Sequence, residues 1–240
     1  VKGAGSLNFA GCPASPEEER SMSKVSSVAA AVEQIPDGAV LMIGGFMGAG
    51  TPPLLIDELV RQGKKNLTVI ANDTARPGIG IGKLIDAGLV RKVIASHIGT
   101  NPQTQKLMIA GELEVDLVPQ GTLAERVRAG GSGLGGVLTP TGVGTTAGEG
   151  KKTVELNGTT YLVEEAIKAD IALISARSAD YSGNLRYSLT SRNFNPLMAL
   201  AAELVIAEPN EILPVGCIEP DAVVTPHVLV DVIVAKGAEK

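Results

Sequence analysis

The sequence predicts an α/β protein: a mostly parallel sheet covered by helices on both faces, with an inserted β-hairpin layer. Three observations carry that expectation. Short apolar runs alternate with helix-patterned segments from residue 40 to residue 128, the succession that a helix-covered parallel sheet produces. The stretch from Asp37 to Pro52 runs through Val40-Leu41-Met42-Ile43 into Gly44, Gly45, Gly48 and Gly50 and then Thr51-Pro52, which reads as buried strand, tight loop and helix start. Farther on, Asn157-Gly158 separates Val154-Glu155-Leu156 from Thr160-Tyr161-Leu162-Val163, a hairpin signal.

Residues 1–21 are rich in Gly, Ser and Pro, carry the run Glu17-Glu18-Glu19-Arg20 and show no sustained period. They read as a translated or vector-derived leader outside the fold, the other reading being a loosely docked native extension. Residues 22–240 form the single domain. A helix spans Val28 to Val32, and Pro36-Asp37-Gly38 is a turn. After the strand that follows it, Thr51 is positioned to cap the next helix, with Pro52 at its first position, where a missing N–H costs nothing. Leu67 to Ala71 is a strand, Asn72 to Gly82 a glycine-bearing loop, and Lys83 to Gly88 a short helix. Val93 to Ile98 is a strand, and Thr100 or Asn101 with Pro102 opens a helix ending near Gly111. Leu113 to Val118 is a strand and Thr122 to Arg128 a helix. The period breaks between Gly130 and Thr145, and after the hairpin Ile171 to Ile174 resumes as a buried strand. Asn184 to Leu189 is another strand candidate, Pro196 to Ala202 a short helix, and Leu204 to Ala207 and Val230 to Val234 the last strands.

With 240 residues, 44% of them apolar, the chain can bury a substantial core. A net charge of −5 argues against a nucleic-acid partner, which requires clustered Lys and Arg. The densest basic cluster, Arg61 to Lys65, falls at a helix end, where cations complement the dipole. Cys12 and Cys217 stand far apart with no CxxC, so neither a metal site nor a disulfide framework is expected. No apolar run approaches the roughly 20 residues that span a bilayer, no signal-peptide pattern opens the chain, and a cytoplasmic protein is expected.

In a parallel sheet, ligands bind beyond the carboxyl ends of the strands. Four glycines within the seven residues 44–50 let backbone amides approach a ligand there, though such turns also serve only to reverse the chain. Gly131-Ser132-Gly133-Leu134-Gly135-Gly136 matches the dinucleotide pattern in form but follows a helix instead of opening one. Gly150-Lys151-Lys152 is not a phosphate loop, and no G-x-S-x-G is present. His97 ends a strand and reads as structural; Glu149 lies in a glycine-rich turn and reads as solvated. Asn72 and Gln120 fall at strand ends, where a neutral amide can donate to a developing oxyanion. Position alone also permits an ordinary turn or cap residue at each, and favours it.

The stretch Asp37 to Pro52 resembles the signature of the family I coenzyme A transferases. The likeness continues through Ala71-Asn72-Asp73-Thr74-Ala75, Val118-Pro119-Gln120-Gly121-Thr122-Leu123-Ala124-Glu125-Arg126, Thr139 to Thr145 and Arg192-Asn193-Phe194-Asn195-Pro196. It extends from Ser23 to about Val234 and looks like the alpha subunit of a two-subunit enzyme of the acetate/acetoacetate type, a leaning carried by Ser96 to Pro102. Thr190-Ser191-Arg192 departs from the Ser-Ala-Arg common in relatives, a change expected to affect packing more than chemistry. The resemblance implies a fold shared with sugar-phosphate isomerases, and a heterotetramer in which a beta subunit supplies a nucleophilic glutamate absent from this chain. That glutamate passes through a mixed anhydride and a glutamyl-CoA thioester. It further implies that Gln120 contributes to the oxyanion hole and that Gly45, Phe46, Gly48, Asn72 and Gly121 line the substrate pocket. Coenzyme A would be a substrate, exchanged between a short-chain acyl-CoA and a carboxylate, with no cofactor. Two rivals remain: a sugar-phosphate isomerase, for which Arg76 is the only cation in the two glycine loops, and a non-catalytic assembly subunit.

Overall fold

The computed structural model describes residues 24–234; the leader expected at 1–21, and Cys12 within it, lie outside the described residues. Nine strands form the main sheet. Six of the path strands are β1 (Val25–Ser26), β2 (Val40–Ile43), β3 (Leu67–Asp73), β4 (Val90–His97), β5 (Glu114–Leu117) and β9 (Ala169–Asp180). They are joined by β11 (Ala202–Leu213) and β12 (Val232–Val234), in the order β1-β12-β11-β9-β2-β3-β4-β5. Every pairing along that path is parallel; β10 (Leu185–Arg186) pairs antiparallel with β9.

Sheet order explains where a ligand site arises. From β2 the chain moves outward in one direction through β3, β4 and β5, then returns to β2's other flank with β9 and moves away through β11 and β12. The order therefore reverses between β2 and β9, and a crevice opens beyond the carboxyl ends of strands at such a reversal.

Both faces of the sheet are buried, which is why its strands read as continuous apolar runs instead of alternating ones. Leu41, Ile43, Val69 and Ala71 point to one core, where helices α1 (Val28–Glu33), α2 (Pro53–Gln62) and α3 (Gly82–Asp86) bury Val32, Leu55, Ile56, Leu59, Leu84 and Ile85. Leu107 of α4 (Pro102–Ile109) packs on the edge of that core. Met42, Ile70, Ala172 and Ile174 point the other way, against Leu123 and Val127 of α5 (Gln120–Gly131) and Met198 of α6 (Asn195–Leu200). Burying one such side chain stabilises by about 1.5–3 kcal/mol, so adjacent residues of one strand hold two helix layers at once.

The inserted layer is a three-stranded antiparallel sheet, β6 (Gly136–Thr139), β7 (Thr153–Leu156) and β8 (Thr159–Glu165), in the order β6-β8-β7. Asn157 (φ 53°) and Gly158 (φ 75°) make the tight turn that the sequence predicts. The buried carboxylate of Glu164 fastens the layer to α5, reaching Lys151 at 2.7 Å and Arg126 at 3.7 Å.

Several sequence expectations are corrected. The Asn184–Leu189 strand shrinks to two residues, and Leu189–Arg192 is a 3-10 turn. Helix α2 begins at Pro53, not Pro52, and Thr51 does not cap it. With prolines at 52 and 53 the first amides available are deeper in the turn, and Leu55 N–H donates to the buried carboxylate of Glu208, on β11, at 3.0 Å. A carboxylate at a helix N-terminus is favourably placed. Gln120, expected at a strand end, is the first residue of α5. No helix among the described residues is long and apolar enough to cross a membrane.

Candidate functional site

Four chain segments meet beyond the carboxyl ends of β2 and β3: the glycine loop after β2, the end of β3, the end of β4 and the start of α5. The glycine loop turns back at Phe46 and Ala49, which bond each other's backbone at 2.9 Å in both directions. Gly45 sits at φ 130°, and a side chain there would collide with the Thr51 hydroxyl, 2.0 Å from an added Cβ. Thr51 is thus packed into the loop it follows instead of capping the helix it introduces.

Two asparagines from the far end of the chain hold the loop in place. Asn193 accepts from Gly45 N–H at 3.0 Å and donates to the Ala49 carbonyl at 3.0 Å. Asn195, fully buried, accepts from Ser175 N–H at 3.0 Å and donates to the carbonyls of Gly50 (3.0 Å) and Ser191 (2.8 Å). At Gly44 an added Cβ would lie 1.8 Å from Asn195 Oδ1, so the close approach itself requires glycine. A side-chain amide suits this work because it donates and accepts at once. Of the Thr190-Ser191-Arg192 departure, the Ser191 hydroxyl donates locally to the Ser188 carbonyl.

Asn72 and Gln120, 48 residues apart, are in direct contact. Gln120 Nε2 donates to Asn72 Oδ1 at 2.6 Å, and Ser96, from β4, donates its hydroxyl to the Asn72 carbonyl at 2.7 Å. Asn72 is 1% exposed and donates through Nδ2 to Asp73 Oδ2 at 2.8 Å. Asp73 also accepts from Met47 N–H (2.9 Å) and Ala75 N–H (2.7 Å), which ties both loops to the end of β3. Helix α5 starts at Gln120 with Pro119 before it and no side-chain cap on its first amides. The positive end of its dipole is therefore presented together with the Gln120 amide, a combination suited to a developing oxyanion.

Beside the glycine loop lies an open groove of about 500 Å³ lined by Phe46, Ala49, Leu189, Thr190, Arg192 and Asn193. Phe46 and Leu189 are exposed there, and Arg192 adds a cation beside the glycine loop that the loop sequences alone do not reveal. Of the residues expected at the site, Gly45, Phe46 and Gly48 share the glycine loop, and Asn72 and Gln120 touch. Gly121 lies on a second groove, of about 450 Å³, between α5 and β6. Glu149 is exposed in its turn and His97 is exposed at the end of β4. The sequence marks no role here for Ser96, Asn193 and Asn195, and marks Asp73 only as the neighbour of Asn72 at the strand end. Three of them stand inside motifs that carry the family likeness, but nothing local in the sequence says what they hold. No group of His, Cys, Asp or Glu suited to a metal ion occurs among the described residues.

Comparisons with known proteins place the chain in a family. A family model described as Coenzyme A transferase matches residues 25–236. The chain is 55% identical over 204 residues to the acetate CoA-transferase subunit alpha of Escherichia coli K12, covering 85% of this chain and 93% of that one. It is 53% identical over 202 residues to the acetoacetyl-CoA:acetate/butyrate CoA transferase alpha subunit of Clostridium acetobutylicum, with 84% and 93% covered. Among solved structures, an acyl-CoA transferase from E. coli O157:H7 in a thioester complex with CoA superposes with a TM-score of 0.80 at 25% identity. That alignment covers 91% of this chain but 48% of the other, so the chain spans about half of that enzyme's length. A strand order that reverses beside a glycine loop, an amide pair at its edge in which Asn72 is buried and Gln120 exposed, and this set of relatives lead to one assignment: the chain belongs to the coenzyme A transferase family, among its alpha subunits.

Proposed function

We propose that this protein is the alpha half of a two-subunit transferase that moves coenzyme A between a short-chain acyl-CoA and a carboxylate such as acetate, butyrate or acetoacetate. In this reading the partner beta subunit supplies the glutamate that carries CoA as a thioester, and this chain supplies the oxyanion donor and part of the acyl pocket. Coenzyme A is substrate, no cofactor takes part, and the enzyme works in the cytoplasm.

The observation that carries the reading is the Gln120 amide, held by Asn72 at 2.6 Å at the uncapped start of α5. Attack of a carboxylate on a thioester places negative charge on the former carbonyl oxygen. A neutral N–H donor fixed nearby stabilises that charge without reorganising, and loss of one such donor costs about 3 kcal/mol, on the order of a hundredfold in rate. The apolar groove at Phe46 and Leu189, with Arg192 at its side, offers room for a short acyl chain and a cation for its carboxylate. The named relatives act on such substrates, which supports the choice of acyl class.

The test is transfer of CoA from acetyl-CoA or butyryl-CoA to acetoacetate, and in the reverse direction to acetate or butyrate, with this chain alone and with a beta-type partner. Activity is expected only in the mixture, and Gln120→Ala should lower turnover by at least about tenfold while the subunits still assemble. Activity of the purified chain alone would refute the half-site reading, and unchanged turnover in Gln120→Ala would remove the oxyanion assignment.

A further inference from the structure

We propose that Asp73 is a positioning residue that fixes which way the Gln120 amide faces, acting through Asn72; this deepens the oxyanion reading given above and rests on it.

The reasoning follows donor and acceptor identity along the contacts. A primary amide has one end that donates and one that accepts, and it can be turned over with little change in shape. At the start of the relay stands a group that cannot be turned over in this sense: an ionised carboxylate only accepts. Asp73 Oδ2 lies 2.8 Å from the Asn72 side chain, so the Asn72 atom facing it must be Nδ2. Oδ1 of Asn72 then faces the other way, toward Ser96 (3.2 Å) and Gln120 (2.6 Å). An acceptor at that point requires Gln120 to present Nε2. One of its two protons is spent on Asn72, and the second is left to point elsewhere from the same nitrogen. The polarity of a buried carboxylate is in this way carried across two amides to the edge of the crevice.

Asp73 is held too firmly to yield. It is 4% exposed and takes three N–H donors, from Asn72, Met47 and Ala75. Met47 and Ala75 are the two non-glycine residues of the glycine loops with positive φ, both at 53°. The carboxylate thus anchors the unusual backbone of both loops while it orients the relay, so loop shape and amide polarity depend on one group. In Asp73→Asn a single oxygen must serve three donors, and an NH₂ group takes the other place. The stable rearrangement turns Asn72 over, which turns Gln120 over and puts a lone pair where a proton stood.

The experiment uses the assembled two-subunit enzyme and measures kcat and KM for Gln120→Ala, Asn72→Ala, Asp73→Asn and the doubles that combine each of the last two with Gln120→Ala. The relay predicts that both Asn72→Ala and Asp73→Asn lower kcat by at least about tenfold. Added to Gln120→Ala, each should then cost little more, within about threefold, because residues acting as one unit are not additive. A residue that only supports the fold would multiply its loss with that of Gln120→Ala. Full multiplication in these cycles would overturn the proposal while leaving the oxyanion role intact, whereas a fully active Gln120→Ala would remove that role itself. Should Asp73→Asn fail to assemble, Asp73→Ser takes its place in the cycle, because a hydroxyl both donates and accepts and so removes the fixed polarity of the carboxylate; the Asn72→Ala cycle tests the contact with Gln120.

Discussion

Replacing Gly44 with alanine inserts one methyl group into the tightest contact of the glycine loop. The added Cβ would lie 1.8 Å from Oδ1, 2.5 Å from Cγ and 3.1 Å from Nδ2 of Asn195, and it meets nothing else as close. Gly44 is not among the positive-φ residues, so the penalty is steric and not conformational. Asn195 must leave, and with it go bonds to Ser175 N–H, the Gly50 carbonyl and the Ser191 carbonyl. At about 1 kcal/mol net for each bond, with more where a buried partner is left unsatisfied, Gly44→Ala should cost roughly 3–5 kcal/mol. Asn195→Ala removes the same three bonds and should cost about 3 kcal/mol, again from the net value of each bond. Because that truncation also deletes every atom the new methyl would strike, the double variant should be scarcely less stable than Asn195→Ala alone, giving a coupling of roughly 3–5 kcal/mol, the whole cost of Gly44→Ala. Urea unfolding of the four proteins, with m-values compared to confirm a common transition, measures it. Additive costs in the double variant would show that Gly44 is required for some reason other than Asn195.

Two pH predictions follow from groups outside the crevice. Asp180 closes the turn after β9: burial opposes its charge, but the Ser182 hydroxyl, the Asn184 amide and the backbone N–H groups of Asn184 and Gly183 hold its pKa below the ordinary 3.8. Its stabilisation should be complete above about pH 4 and lost as pH falls through the lower folded value, so Asp180→Asn should be less stable near neutrality and show a shallower acid limb in urea titrations. Tyr187 is pushed up to about 12 by burial, against the opposing hydrogen bond with Thr225 at 2.7 Å. Stability should therefore be intact below pH 10 and fall as pH rises toward 12, and Tyr187→Phe should lack that part of the alkaline loss; an unchanged alkaline limb would remove Tyr187 as its cause.

Local pattern was enough to reveal most of the elements. The runs at 40–43 and 67–71, the Asn101-Pro102 helix start, and the Asn157-Gly158 hairpin all sit where the sequence puts them, because periodicity, capping and turn chemistry act over a few residues. Of the two candidates Thr100 and Asn101, it is Asn101 that caps α4, accepting from Gln103 and Thr104 N–H. Where the sequence misleads, a distant group has displaced the local one. Thr51 is a natural cap by type and position, yet Glu208, 153 residues from Leu55, takes the cap's work and frees Thr51 to pack against Gly45.

The chain's own residues therefore determined an α/β fold with a hairpin layer and the coenzyme A transferase likeness, and that likeness pointed to Asn72, Gln120 and the glycine loop as the candidate site. Tertiary structure alone decided how these parts are held. It brought Gln120 onto Asn72 across 48 residues, and Asn193 onto Gly45 across 148. It made Asp73 the common acceptor for two loops and one amide. The physical reason is that a side-chain amide or carboxylate can satisfy many partners, and which partner it meets depends on strand order. A continuous apolar run shows that both faces of a strand are buried, but it is silent about which strand lies beside it. The placement of β9 next to β2 is what brings the last third of the chain back to build the site begun by its first.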